Sequence, residues 1–334
     1  MTPRANPLLI GHAPAEILLA EAMTSARLHH AWLLTGPRGI GKATLAFRFA
    51  RRLLSGLPPD GTIALPESHP VFRRVAAASH ADLLTVERVW DPKKKRLRSE
   101  IVVDDVREVS AFLHRTAAEG GWRVVIVDGA EDLNRNAANA LLKMLEEPPA
   151  RALLLLVCTA PGRLLPTIRS RCRSLRLSPL AAADVARVLS RHRPDLAADE
   201  AQRLADLAEG SPGRALLLAE SGAATTAALV DQTLGAVPGL GILQAHAVAD
   251  ALGRQEDGFS TFMDLLRAAI ATAVRDAGRG QADPGQTRLL GARPLADWVD
   301  VWHALGTLQS ETESLYLDKR QALVSGLGML TPDR

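Results

Sequence analysis

The run Gly36-Pro37-Arg38-Gly39-Ile40-Gly41-Lys42-Ala43 constrains this chain more than any other feature. It follows an apolar stretch at 31–35 that reads as a strand, and it opens a helical pattern reaching about residue 54. Glycines at these spacings let backbone amides turn inward, and the helix start adds positive potential. With a lysine beside them, they make an anion nest of the phosphate-binding type G-x-x-x-x-G-K-[ST]. The last position departs from that pattern. Ala43 stands where a hydroxyl would hold Mg²⁺, and a methyl group cannot ligate a hard cation. Thr44 comes one residue late, ~100° further round the helix.

The surrounding pattern predicts an α/β fold. Further strands are expected at about 83–89, 100–103, 124–127 and 153–158, with helices at about 104–115 and 136–147. Asp104 and Asp105 suit a helix N-terminus, and Pro148-Pro149 stop the second helix. Asp91-Pro92 followed by Lys93, Lys94 and Lys95 predicts a hairpin with a solvated tip. Strands of unbroken apolar character, separated by helices, belong in a parallel sheet covered on both faces. Residues 56–80, with Pro58, Pro59, Gly61, Pro66 and Pro70, read as an irregular insertion. After Pro179 no strand pattern remains. Ala/Leu periodicity breaks at Pro194, 210–213, 238–241, 278–285 and Pro294, which predicts an all-α second half.

A second departure lies at Asp128-Gly129, where strand 124–127 ends. Many phosphate-loop ATPases place a glutamate after the aspartate to polarise the attacking water; here that position is Gly129, and Glu131 lies two residues further on. Both chemical parts for hydrolysis are therefore missing from one sheet edge, which predicts a nucleotide-pocket shell without turnover.

Composition narrows the alternatives. The 334 residues carry 40 Lys+Arg against 37 Asp+Glu, a net charge of +3, and aromatics make up only 4%. That is too little charge for a basic DNA-binding face and too few rings for a base-stacking platform. The longest uncharged stretch, 232–249, is broken by proline, glycines and glutamines, so no membrane span is expected, and the cytoplasm is the expected location. Two cysteines, Cys158 and Cys172, exclude a disulfide scaffold and read as small buried residues.

Four segments together, 36–44, 124–133, 139–149 (Asn-Ala-Leu-Leu-Lys-Met-Leu-Glu-Glu-Pro-Pro) and Ser170-Arg171-Cys172, resemble bacterial clamp-loader subunits of the AAA+ class, the loader of DNA polymerase III. The resemblance implies an AAA+ P-loop domain with a parallel sheet over 1–178, a small helical lid domain over 179–215, and an all-α collar domain for oligomerisation over 216–334. It implies a part in DNA replication beside gamma/tau and delta subunits, the sliding clamp and primer-template DNA, within an assembly whose overall activity is nucleotidyl transfer. Gamma/tau members, which hydrolyse ATP, would carry Lys-Thr, Asp-Glu and a phosphate-sensing arginine where this chain has Lys42-Ala43, Asp128-Gly129 and Gly213. These departures imply the non-hydrolysing type. Arg171 is then the arginine finger, acting in trans on a neighbour's ATP site. Gly36, Gly39, Gly41, Lys42, Thr44, Asp128 and Thr159 form a vestigial nucleotide pocket. Glu146 and Glu147, at a helix C-terminus, are expected either to meet a cation of an adjoining subunit or to stand plainly exposed. No cofactor is required on this reading, and ATP binding stays open. Many members of that type carry a four-cysteine zinc module in the insertion, but 55–80 has no cysteine, and His69 and His80 alone cannot make a structural site, so no zinc is expected. The rivals are a gamma/tau-like or other DNA-dependent ATPase, and a switch that binds nucleotide without cleaving it.

Overall fold

The computed structural model describes residues 2–25, 28–91, 96–119, 121–220, 223–253, 258–315 and 317–331. The chain divides into two compact units, 1–195 with 209–214, and 196–208 with 215–334. In chain order the first contains α1 (Ala13–Thr24), β1 (Ala31–Thr35), α2 (Lys42–Leu54), α3 (Pro70–Ala76), β2 (Leu83–Val86), β3 (Trp90–Asp91), β4 (Arg96–Leu97), α4 (Val103–His114), β5 (Arg123–Asp128), α5 (Arg135–Glu146), β6 (Ala152–Cys158), α6 (Pro166–Arg171), β7 (Arg173–Arg176) and α7 (Ala182–His192). Five of these strands form one sheet in the order β2-β5-β6-β1-β7, with every pairing parallel. The phosphate-loop strand β1 therefore lies between β6 and β7.

Unbroken apolar runs make the two central strands. All seven residues of β6 are buried, because helices cover both faces of the sheet. Leu33, Val125, Val127, Leu154 and Leu156 pack with Val109 of α4 and Leu141 and Leu145 of α5, while Leu34, Ile126, Leu153 and Leu155 are buried on the other face. Burial of each such leucine contributes about 1.5–3 kcal/mol, and truncating a central one such as Leu154 to alanine would cost about 2–5 kcal/mol. The helices start where polar side chains can satisfy their first amides. Asn134 Oδ1 accepts from Ala137 N at 2.9 Å at the start of α5, and Asp105 Oδ2 accepts from Val102 N at 2.9 Å in front of α4.

Two sequence expectations need correction, and one strand was not anticipated. Residues 100–103 are not a strand: Ile101 makes one isolated parallel bridge to Leu133, and α4 begins at Val103. The 56–80 insertion is not irregular throughout, since Pro70 sits at the first position of α3 and His69 caps it, Nδ1 accepting from Val71 N at 3.2 Å. The arginine-rich run after Cys172 hides an edge strand, β7, whose Leu175 is buried while Arg173 and Arg176 are exposed. The expected hairpin exists as the antiparallel pair Trp90–Leu97 and Asp91–Arg96, and its tip at 92–95 lies outside the described residues.

The described residues of the second unit are helical, as the periodicity predicts. They form α8 (Ala198–Leu207), most of α9 (Pro212–Glu220), α10 (Ala223–Gly235), α11 (Ile242–Leu252), α12 (Gly258–Gly278), α13 (Pro284–Leu290), α14 (Leu295–Ser314) and α15 (Lys319–Gly328). Phe262, Leu266 and Ile270 of α12 pack with Trp298 and Leu305 of α14 and Leu323 and Leu327 of α15. Trp302 of α14 donates its indole N–H to Arg267 O at 3.1 Å, and the Arg267 guanidinium lies 4.3 Å from the Trp302 ring centre.

Candidate functional site

The phosphate loop joins β1 to α2 at the C-terminal edge of the sheet. Gly36, Gly39 and Gly41 have φ of +144°, +76° and +105°, which side chains rarely adopt. Lys42, the first residue of α2, is buried, and its Nζ donates to Gly36 O at 2.7 Å and Pro37 O at 2.6 Å. Burial lowers the Lys42 pKa, and the carboxylates Glu131 and Asp128 oppose that shift. Asp128, the last residue of β5, is shifted upward, first by burial and then by Glu87, with Lys42 opposing. Thr44 is buried in the same helix. Thr159 follows β6 and donates its backbone N–H to Glu131 Oε1 at 3.0 Å. Burial, reinforced by Glu131, pushes the Cys158 thiol up to about 12. The fold thus brings Lys42, Asp128, Glu131 and Thr159 to one sheet edge.

The loop is covered by residues 210–214, which belong to the same unit. Ser211 Oγ donates to Arg38 O at 2.9 Å, and Gly213 N donates to Gly39 O at 2.9 Å. A Cβ on Gly213 would stand 2.9 Å from Gly39 Cα, so this backbone contact admits no side chain at 213. Arg214 pairs with Glu209 at 3.1 Å. The sequence marks Gly213 only as the loss of an arginine; its close approach to the loop depends on the tertiary fold.

Ala43 offers a methyl group at the cation position, Gly129 offers nothing to orient water, and Lys42 is bonded to its own loop. Glu131 holds the end of β6 through the Thr159 amide.

Arg171 lies elsewhere, as the last residue of α6 and just before β7. In the parallel register Arg173 is level with Trp32, whereas the loop begins after Thr35, so the two features sit at opposite ends of the strands. At ~3.3 Å per residue the strand alone separates them by about 10 Å, before the loop extends further. Arg171 Nη2 is 2.7 Å from Glu146 Oε1, and its Nη1 donates to Thr167 O at 3.1 Å. Glu146, the last residue of α5, therefore meets a cation of its own chain. Of the other arginines nearby, Arg173 lies 4.7 Å from the Trp32 ring centre, and Arg169 and Arg176 are exposed.

The family model described as DNA polymerase III, delta subunit, matches residues 11–181, which is the phosphate-loop half and the segment carrying Arg171. DNA polymerase III subunit delta-prime of Pseudomonas aeruginosa is 41% identical over 183 residues, covering 55% of this chain and 53% of that protein. The delta-prime subunit of Escherichia coli is 36% identical over 200 residues, covering 60% and 57%. DNA polymerase III subunit tau of Escherichia coli is 31% identical over 259 residues, covering 75% and 36%. The chain spans about half the length of the two delta-prime relatives it matches. A family match over half the chain, on the residues that build the loop and the Ser170-Arg171-Cys172 segment, makes this chain a member of the DNA polymerase III delta-subunit family.

Proposed function

We propose that the chain is a non-hydrolysing clamp-loader subunit of the delta-prime type, working in the cytoplasm in DNA replication. It completes a ring of AAA+ subunits, with a P-loop domain at 1–178, a lid at 179–215 and a collar at 216–334. Arg171 enters the ATP site of a neighbouring gamma/tau subunit while the ring, with delta, places the sliding clamp on primer-template DNA. The observation that carries this reading is the position of Arg171 at the end of the sheet opposite its own phosphate loop. A permanently charged planar donor so placed can act on a neighbour's phosphates and not on its own loop. There it stabilises charge spreading over the transferred phosphoryl oxygens, an effect worth ~10³–10⁵ in rate where a finger is supplied in trans. The lack of an Mg²⁺ ligand at Ala43 and of a water-orienting group at Gly129 supports the same division of labour.

Two measurements test the proposal. Purified alone, the chain should show no ATP turnover; appreciable turnover abolished by Lys42→Ala would sink it in favour of a gamma/tau-like ATPase. In a reconstituted loader, Arg171→Ala should assemble normally and lower the neighbour's turnover by about 10³-fold or more. A second reading, a switch that binds nucleotide without cleaving it, draws on the three left-handed glycines, which keep the geometry of an anion nest. Saturable binding of a labelled nucleotide to the isolated chain would favour it.

A further inference from the structure

We propose that Glu146 is the positioning residue of Arg171, setting the plane in which the guanidinium leaves the surface. The inference rests on the reading of Arg171 as a finger. Two contacts fix the guanidinium at its two terminal nitrogens, Glu146 Oε1 on Nη2 at 2.7 Å and Thr167 O on Nη1 at 3.1 Å. Because the group is planar, holding both nitrogens fixes its orientation. The two contacts occupy two of its five N–H donors, which leaves the others for a phosphoryl group. The side chains of Arg171 and Glu146 are 36% and 47% exposed, so the pair stands at the surface where a neighbour can reach it.

Helix electrostatics account for the arrangement. Glu146 ends α5, where a carboxylate faces the negative end of the dipole, and Arg171 ends α6, where a cation is favoured. The guanidinium satisfies both termini, since it neutralises Glu146 and donates to a carbonyl of its own last turn. A long arginine freed from these contacts would have to lose its rotamer freedom on docking. Tethered, it arrives already oriented.

The test uses the full-length chain in a reconstituted loader with its ATP-hydrolysing partner, read as the partner's kcat alongside assembly affinity and melting midpoint. Glu146→Ala should lower kcat about 2- to 10-fold while assembly and melting stay unchanged. Glu146→Gln should recover part of the loss, since its amide oxygen still accepts from Nη2. The double variant with Arg171→Ala should fall no lower than Arg171→Ala alone. A kcat that is unchanged or raised by Glu146→Ala would overturn the inference. So would a loss that persists in the Arg171→Ala background, or one that tracks weaker assembly or a lower melting midpoint. If Arg171→Ala itself leaves kcat intact, the finger reading falls first. If Arg171→Ala acts and Glu146→Ala does not, only the positioning role falls.

Discussion

Gly36 is held by the fold itself, independently of any phosphate. Its φ is +144°, and a Cβ there would lie 2.4 Å from Leu177 O, a carbonyl fixed where the chain leaves β7 beside β1. Gly36→Ala should therefore destabilise the protein by about 2–4 kcal/mol in chemical denaturation, with no nucleotide present. An unchanged midpoint would show that the loop has room to move. The two cysteines give a second test at this scale. Burial pushes the Cys172 thiol up to about 12, and burial with Glu131 does the same for Cys158. Neither should react with a thiol reagent at pH 8 in the folded protein, and both should react once it is denatured. The burial of Cys158 was legible in the sequence from residue type, whereas Cys172, expected to be buried too, is only half-buried. The Glu146–Arg171 pair was not legible, because it joins positions 25 apart on separate helices, and the only local sign was a carboxylate at an unfavourable helix end.

At the scale of elements, α2 buries three charged side chains on one face: Arg48, Arg51 and Arg52, at i, i+3 and i+4, are all buried. Arg48 binds Glu16 and Pro7 O, while Arg51 donates to Arg4 O and Asn6 O and lies 4.2 Å from the Phe72 ring centre. Burial, reinforced by Arg48, lowers the Arg51 pKa to about 10, so it remains charged at neutral pH. Arg52, 1% exposed, donates to Leu57 O, Pro58 O, Thr62 O and Asp60, and so organises the start of the insertion. Arg52→Ala should cost about 2–3 kcal/mol, from carbonyls left without a donor, and expose 56–62 to limited proteolysis. Next to this insertion, His80 sits buried with Nδ1 accepting from Asp82 N. Burial lowers its pKa below 6.5, with Glu119 opposing. The unfolded chain then takes up a proton near pH 6.5 that the folded chain refuses. This contribution to stability is present above pH 6.5 and is lost as pH falls toward the folded pKa. Denaturant midpoints should decline below pH 6.5, and His80→Asn, whose Oδ1 can take the same amide, should flatten that part of the slope.

Across the whole molecule, no group of three or more His, Cys, Asp or Glu among the described residues is arranged to hold a metal ion, and no described helix is long and apolar enough to cross a membrane. Both histidines of the insertion region instead accept local amides through Nδ1. Chelation with EDTA should leave the melting midpoint unchanged, and a fall would reveal a structural metal. What the sequence determined by itself was local: the glycine–lysine loop between strand and helix, the buried apolar strands, the absent hydroxyl and glutamate, and the switch to helices after Pro179. Each follows from residue type and spacing over a few turns. Tertiary structure alone decided the strand order, the edge strand hidden among arginines, the burial of Arg48, Arg51 and Arg52, and the cover of Gly213 on Gly39. It also placed Arg171 at the far end of the sheet, paired with Glu146. These depend on which surfaces meet after long loops close, and side-chain periodicity carries no record of that.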